Sequence, residues 1–185
     1  MGRSEYQIRQ GGPERRPARI DGTTGAVAVA VAVNTPSEHW RYARHLESLE
    51  AASGLPAEAE AVAAVLCDPD LVMAESAVVT HLGRRAAGLL ADEAFPAWAR
   101  AVGAALGGRT FPARRLREWT LLKAVTRGEP WSAAELLAAS DWCQGTAARS
   151  LHADEALRLL AEGARTRRVR NAAAQRLLRR AAVGA

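Results

Sequence analysis

The side chains in this chain best suited to chemistry lie between Gln144 and Arg170. Gln144, Thr146, Arg149 and Ser150 come first, and Arg165, Arg167, Arg168 and Arg170 follow. Gln and Arg can make paired hydrogen bonds to adenine and guanine edges, whereas Thr and Ser reach phosphates or bases. These eight side chains have the chemistry that contacts to double-stranded DNA would need. No catalytic set accompanies them. His39 and His45 are too far apart in register to share a helix face at metal-ligand spacing, and His81 and His152 stand alone. Gly107-Gly108 lacks the later glycine and lysine of a phosphate loop. Neither an enzyme activity, a metal nor a cofactor is expected.

The elements that must position the polar cluster read as helices. Ala, Leu, Arg and Glu dominate, and aromatic residues make up only 5% of the chain. Thr35-Pro36-Ser37-Glu38 is a helix start, and that helix runs to about Ala52, stopped by Gly54. A second helix starts at Pro56 and should bury Ala59, Val62, Ala63 and Leu66. After the turn at Asp68-Pro69-Asp70, a third places Val72, Ser76, Val79, Leu82, Gly83, Ala86 and Leu90 on one stripe. Phe95-Pro96 and Phe111-Pro112 look like two related helix entries, with Gly107-Gly108 as a boundary between them. A helix through Leu116, Trp119, Leu122 and Val125 should end at Gly128. Ser132 and Glu135 then form a capping box, opening a short helix to about Ala139. A turn at Ser140-Asp141 leads into a helix opening at Trp142 and ending at Gly163. Thr166–Arg170 offers one strand, and Asn171–Leu178 reads as helix again.

The order of parts from about residue 117 to 171 resembles the winged helix-turn-helix family of DNA-binding proteins. Ala134-Glu135-Leu136 matches its second helix, and Gln144-Gly145-Thr146-Ala147-Ala148-Arg149-Ser150-Leu151 matches its recognition helix. The resemblance implies that Ala147 and Leu151 face the core while Gln144, Thr146, Arg149 and Ser150 face the major groove. It implies a sequence-specific regulator of transcription or replication, with a wing that is short or absent.

Charge divides the chain into three parts. Residues 1–35 hold five arginines and three acids, and their composition predicts a disordered tail. Residues 36–110 hold six arginines against ten acids, an acidic helical domain suited to dimerisation or partner contacts. Residues 111–185 hold thirteen arginines and one lysine against seven acids, a basic helix-turn-helix-like domain suited to a polyanion. The expected fold is thus mainly α, a helical bundle with a C-terminal helix-turn-helix. Cys67 and Cys143 form no disulfide framework. The apolar run Ala26–Val33 is too short for a membrane span or a signal core, so a cytoplasmic location is expected.

A second reading competes with DNA binding. Short helices with small residues on one face also describe a HEAT-like protein-interaction scaffold. Cys143, Ala147 and Leu151 match Val169, Ala173 and Leu177 at a constant offset of 26, and Ala133–Leu137 matches Ala156–Leu160 at an offset of 23. The five tryptophans are expected to anchor helix packing rather than to stack on bases.

Overall fold

A computed structural model of the chain describes residues 38–183. The Thr35 cap, the tail over residues 1–35 and Ala26–Val33 lie outside the described residues. The described chain is helical, with no strand. In order the helices are α1 (Glu38–Ala51), α2 (Leu55–Val65), α3 (Leu71–Leu89), α4 (Phe95–Ala105), α5 (Thr110–Arg127), α6 (Ala133–Ala138), α7 (Asp141–Ser150), α8 (Asp154–Gly163) and α9 (Arg167–Val183).

Local signals in the sequence set most of these ends. Asp70 caps α3 by accepting from the Met73 amide, and Ser132 caps α6 by accepting from Glu135. Ser140 does the same for Cys143 at the start of α7. Gly128 ends α5 with φ +68°, a left-handed conformation that side chains disfavour.

Two expectations need correction here. The helix expected to run from Trp142 to Gly163 is two helices, because Leu151 leaves helical geometry and α8 opens three residues later. Thr166–Arg170 is not a strand. Thr166 accepts from the Val169 amide and opens α9 instead, so no wing is built among the described residues.

The helices form two rows. Neighbours in the first row are α1, α3, α5, α7 and α9, and in the second α2 lies beside α4 and α6 beside α8. Side-chain bonds give the directions. Arg41 and His45, early in α1, hold Asp68 just before α3, while Glu50 near the end of α1 pairs with Arg84 late in α3. Arg109 donates to the Leu66 carbonyl before α3, and Arg127 pairs with Glu93 after it. Thus α1, α3 and α5 run parallel. So do α7 and α9, because Gln144 accepts from the Arg165 amide before α9 and Arg180 donates to the His152 carbonyl after α7.

One local pattern recurs in α3, α7 and α9. Each starts with a capping oxygen (Asp70, Ser140, Thr166) that accepts from the amide three residues on. That third residue is buried each time, as Met73, Cys143 and Val169, and so is the alanine seven after the cap, as Ala77, Ala147 and Ala173. Alanine there lets neighbouring helices approach closely. The offset of 26 visible in the sequence is therefore the register of α7 on α9. A single core runs from Leu49 to Ala173 and the described residues fall in one compact unit. The change of charge near residue 110 is accordingly a change of surface, and α5 packs on both α3 and α4.

The buried face of α3 also differs from the expected stripe. Met73, Ala74, Ala77, Val78, His81, Leu82 and Ala86 are buried, whereas Val72 is 80% exposed. Apolar residues lie on more than one side of this helix, with Glu75, Arg84 and Arg85 scattered among them, so the neighbours α1 and α5 decide which side is covered.

Candidate functional site

Of the eight expected DNA contacts, the structure leaves five on the surface. Arg149, Ser150, Arg165, Arg167 and Arg168 are exposed, and Thr146 is half-buried. Arg149 donates to the Thr146 hydroxyl at 3.4 Å, and its guanidinium lies over Gly145. The Ser150 hydroxyl donates to the Thr146 carbonyl. Arg165 lies 3.7 Å from Asp141. No ion pair is formed by Arg167 or Arg168 among the described residues, so their charges face solvent.

Gln144 is a correction. Its side chain is fully buried, and its amide donates to the Leu136 and Leu137 carbonyls at 3.2 and 2.7 Å. Its carbonyl accepts from the Arg165 amide at 3.0 Å. A six-residue helix such as α6 leaves its last carbonyls without intrahelical partners, and Gln144 supplies them. Arg170 is half-buried. It lies four residues after its cap, as Gln144 does, and donates at 2.6 Å to the Ala164 carbonyl that ends α8. Both residues tie the end of one helix to the helix that follows it.

The start of α7 is crowded with other groups. Glu118 of α5 is buried and accepts from the Ser140 amide at 2.9 Å. Arg115 lies 3.5 Å from the second Glu118 oxygen and stacks 3.5 Å above the Trp142 ring, which in turn meets Trp119 edge-on. Beside this cluster Arg114, Arg117 and Arg165 line a groove of about 240 Å³, with Glu118, Glu135 and Ser140 on its floor and rim.

A further polar cluster escaped the sequence reading. Glu58 of α2 is buried, and one of its oxygens accepts from His81 Nε2 and from Trp98 Nε1, both at 2.8 Å. Arg85 approaches the same oxygen at 3.3 Å. Burial would raise the Glu58 carboxyl. The hydrogen bonds from Trp98 and His81 and the charge of Arg85 outweigh that effect and hold it below its usual value. Because the carboxylate can only accept, His81 must carry its proton on Nε2. His81 reads as isolated in the sequence because its partner is 23 residues away, on another helix.

The tryptophans follow expectation in part. Trp98 and Trp119 are buried and Trp131 and Trp142 half-buried, whereas Trp40 is 52% exposed.

The cysteines differ in environment. Cys67 is exposed and Cys143 buried. Burial, reinforced by the Glu118 carboxylate, pushes the Cys143 thiol up to about 12, so it is protonated at neutral pH. A thiol-reactive disulfide reagent is expected to modify one equivalent, at Cys67, in the folded protein and two in denaturant. Rapid modification of both in the folded state would contradict this burial.

No family model, curated protein or solved structure matches the chain. Among the described residues no helix is long and apolar enough to cross a membrane, and no three His, Cys, Asp or Glu side chains converge as a metal site.

Proposed function

We propose that this chain is a helical-repeat scaffold that works by binding an acidic partner along the basic surface of α5, α7 and α9. The observation that carries the reading is the register shared by α3, α7 and α9, which makes α7 one member of a row. A recognition helix must project from its domain far enough to enter a groove. Here α7 is flanked by α5 on one side and α9 on the other. Its amino-terminal end, where a phosphate would gain most from the helix dipole, already faces Glu118 and carries Asp141. Arg114, Arg117 and Arg165 in one groove, with Arg167 and Arg168 beyond Arg165, supply the charge for an acidic protein segment.

Duplex DNA as a regulator's target is the second reading, favoured by the exposure of Arg149, Arg165, Arg167 and Arg168 and by the absence of any acid after Glu162. Binding to duplexes of random and selected sequence, measured across salt, separates the two. The scaffold reading expects Arg149→Ala to change binding to both duplexes by the same small amount. It also expects Arg167→Ala with Arg168→Ala to weaken any residual DNA binding uniformly and flatten its salt slope. A loss of about 1–3 kcal/mol at Arg149 on the selected sequence alone would instead establish base reading by α7.

A further inference from the structure

Lys123, the only lysine in the chain, sits on α5 and is just 4% exposed. An ammonium so deeply placed ordinarily has an acid beside it, because taking an unpaired charge out of water is costly. Lys123 has no such partner among the described residues. It donates to the Asp92 carbonyl at 3.1 Å and lies 5.5 Å from the centre of the Phe95 ring. Glu93, next to Asp92 in the chain, pairs with Arg127 instead. One carbonyl satisfies one of the three ammonium N–H groups.

The same lysine lines a groove of about 630 Å³ between α4 and α5, which reaches Glu129 and Pro130 after α5. The second row is broken at this point, since α4 packs on α2 and α5 while α6 packs on α7 and α8. Phe95, Ala99, Gly103 and Leu106 of α4, with Ala113 and Leu116 of α5, form apolar walls. The charged side chains of the lining are Lys123, Arg100 and Arg117 against one acid, Glu129. Arg100 and Arg117 are exposed and form no ion pair among the described residues. A mostly apolar cleft of this volume with a few polar groups is the usual form of a small-molecule site. Along α4 it runs from Phe95 to Leu106, about 16 Å at the helical rise. Lys123 meets Phe95 at one end, and Gly103 faces Leu116 farther along.

We propose that this groove binds an elongated monocarboxylate, with its carboxylate at Lys123 and its apolar chain along Ala99, Gly103 and Leu116. The carboxylate supplies the counter-charge and the acceptors that the fold does not give Lys123, and one ammonium matches one negative charge. The chain covers apolar walls that are otherwise open to water. Arg117 lines this groove and also the one holding Arg114 and Arg165. The site nevertheless stands apart from the basic surface, because its anion seat is Lys123 and its walls are apolar.

Titration calorimetry of the full-length protein with decanoate tests this. Decanoate is expected to bind, and octanoate and hexanoate each about tenfold more weakly than the acid two carbons longer. Decanol and decyltrimethylammonium, which lack the anion, should bind about tenfold or more below decanoate. Lys123→Met keeps the apolar stem and removes the charge. It should weaken decanoate by about tenfold or more, while the ligand-free variant melts at the wild-type temperature or above it. A lysine that served only to hold the Asp92 carbonyl would do the opposite. Ala99→Phe narrows the groove from the facing wall, leaves Lys123 in place and should also block decanoate. No heat of binding with decanoate at about 1 mM, and no shift in melting temperature, would overturn the proposal. So would undiminished binding by Lys123→Met, or a melting temperature for that variant well below wild type. Loss of decanoate binding on replacing Arg114 and Arg165 with alanine would place the anion in the neighbouring groove and overturn it as well.

Discussion

Glu58→Ala is expected to cost the folded state about 3–5 kcal/mol, the range for removing one partner from a buried charged network. The loss does not come from the carboxylate's own packing alone. Trp98 Nε1 and His81 Nε2 both donate to the same Glu58 oxygen, and both side chains are buried. Without it, two buried N–H groups lack an acceptor, at about 1–3 kcal/mol each. Glu58→Gln should be much milder, about 1–2 kcal/mol, because an amide oxygen can occupy the same position. The two substitutions also separate in their pH dependence. The Glu58 carboxyl sits below its ordinary value of 4.5 in the folded protein, so its contribution is full above that value. The contribution is lost as pH falls through the lower, folded value. Glu58→Gln should therefore shallow the loss of stability below about pH 4.5 while lowering stability modestly at neutral pH. Urea unfolding across pH measures both. An acid limb identical to wild type would show that Glu58 is not the group responsible.

Gln144→Ala is the second large effect, expected at about 2–4 kcal/mol, with the melting temperature falling by about 5–15 °C. The substitution strands the carbonyls of Leu136 and Leu137 and the amide of Arg165, and leaves a void where the side chain was. This outcome bears directly on function. A glutamine that read adenine from an exposed helix face would leave the melting temperature unchanged and alter only DNA binding. A structural glutamine does the reverse. Thermal unfolding of the variant without any ligand distinguishes the roles, and a shift below about one degree would contradict the buried bonding seen here.

These two residues show where reading the sequence stops. Gln144 lies in a short run of Gln, Thr, Arg and Ser whose composition suits base contacts, and nothing within the helix marks it as buried. Its partners are 7, 8 and 21 residues away, on α6 and before α9. Glu58 and His81 are likewise unremarkable in the sequence, because their meeting depends on how α2 sits against α3 and α4. The stripe expected on α3 is rotated for a related reason. When Ala, Val, Ser and Gly surround a helix, burying either side is nearly equal in apolar area, and the flanking helices choose.

The sequence by itself determined the features that rest on a few consecutive residues. The cap at Ser132, the helix stop at Gly128 and the helical character of the described chain all follow from hydrogen bonds and dihedral preferences spanning three or four positions. The 26-residue echo between α7 and α9 was legible for the same reason, as local periodicity, whereas the burial of Ala147 and Leu151 was expected from the family resemblance. Only the tertiary structure decided that α7 lies between α5 and α9, that Gln144 and Arg170 close helix ends, and that Leu178 and Trp40 are exposed. Burial of a side chain is a property of its neighbours, and in a chain of small, similar helices those neighbours are set by packing between distant segments.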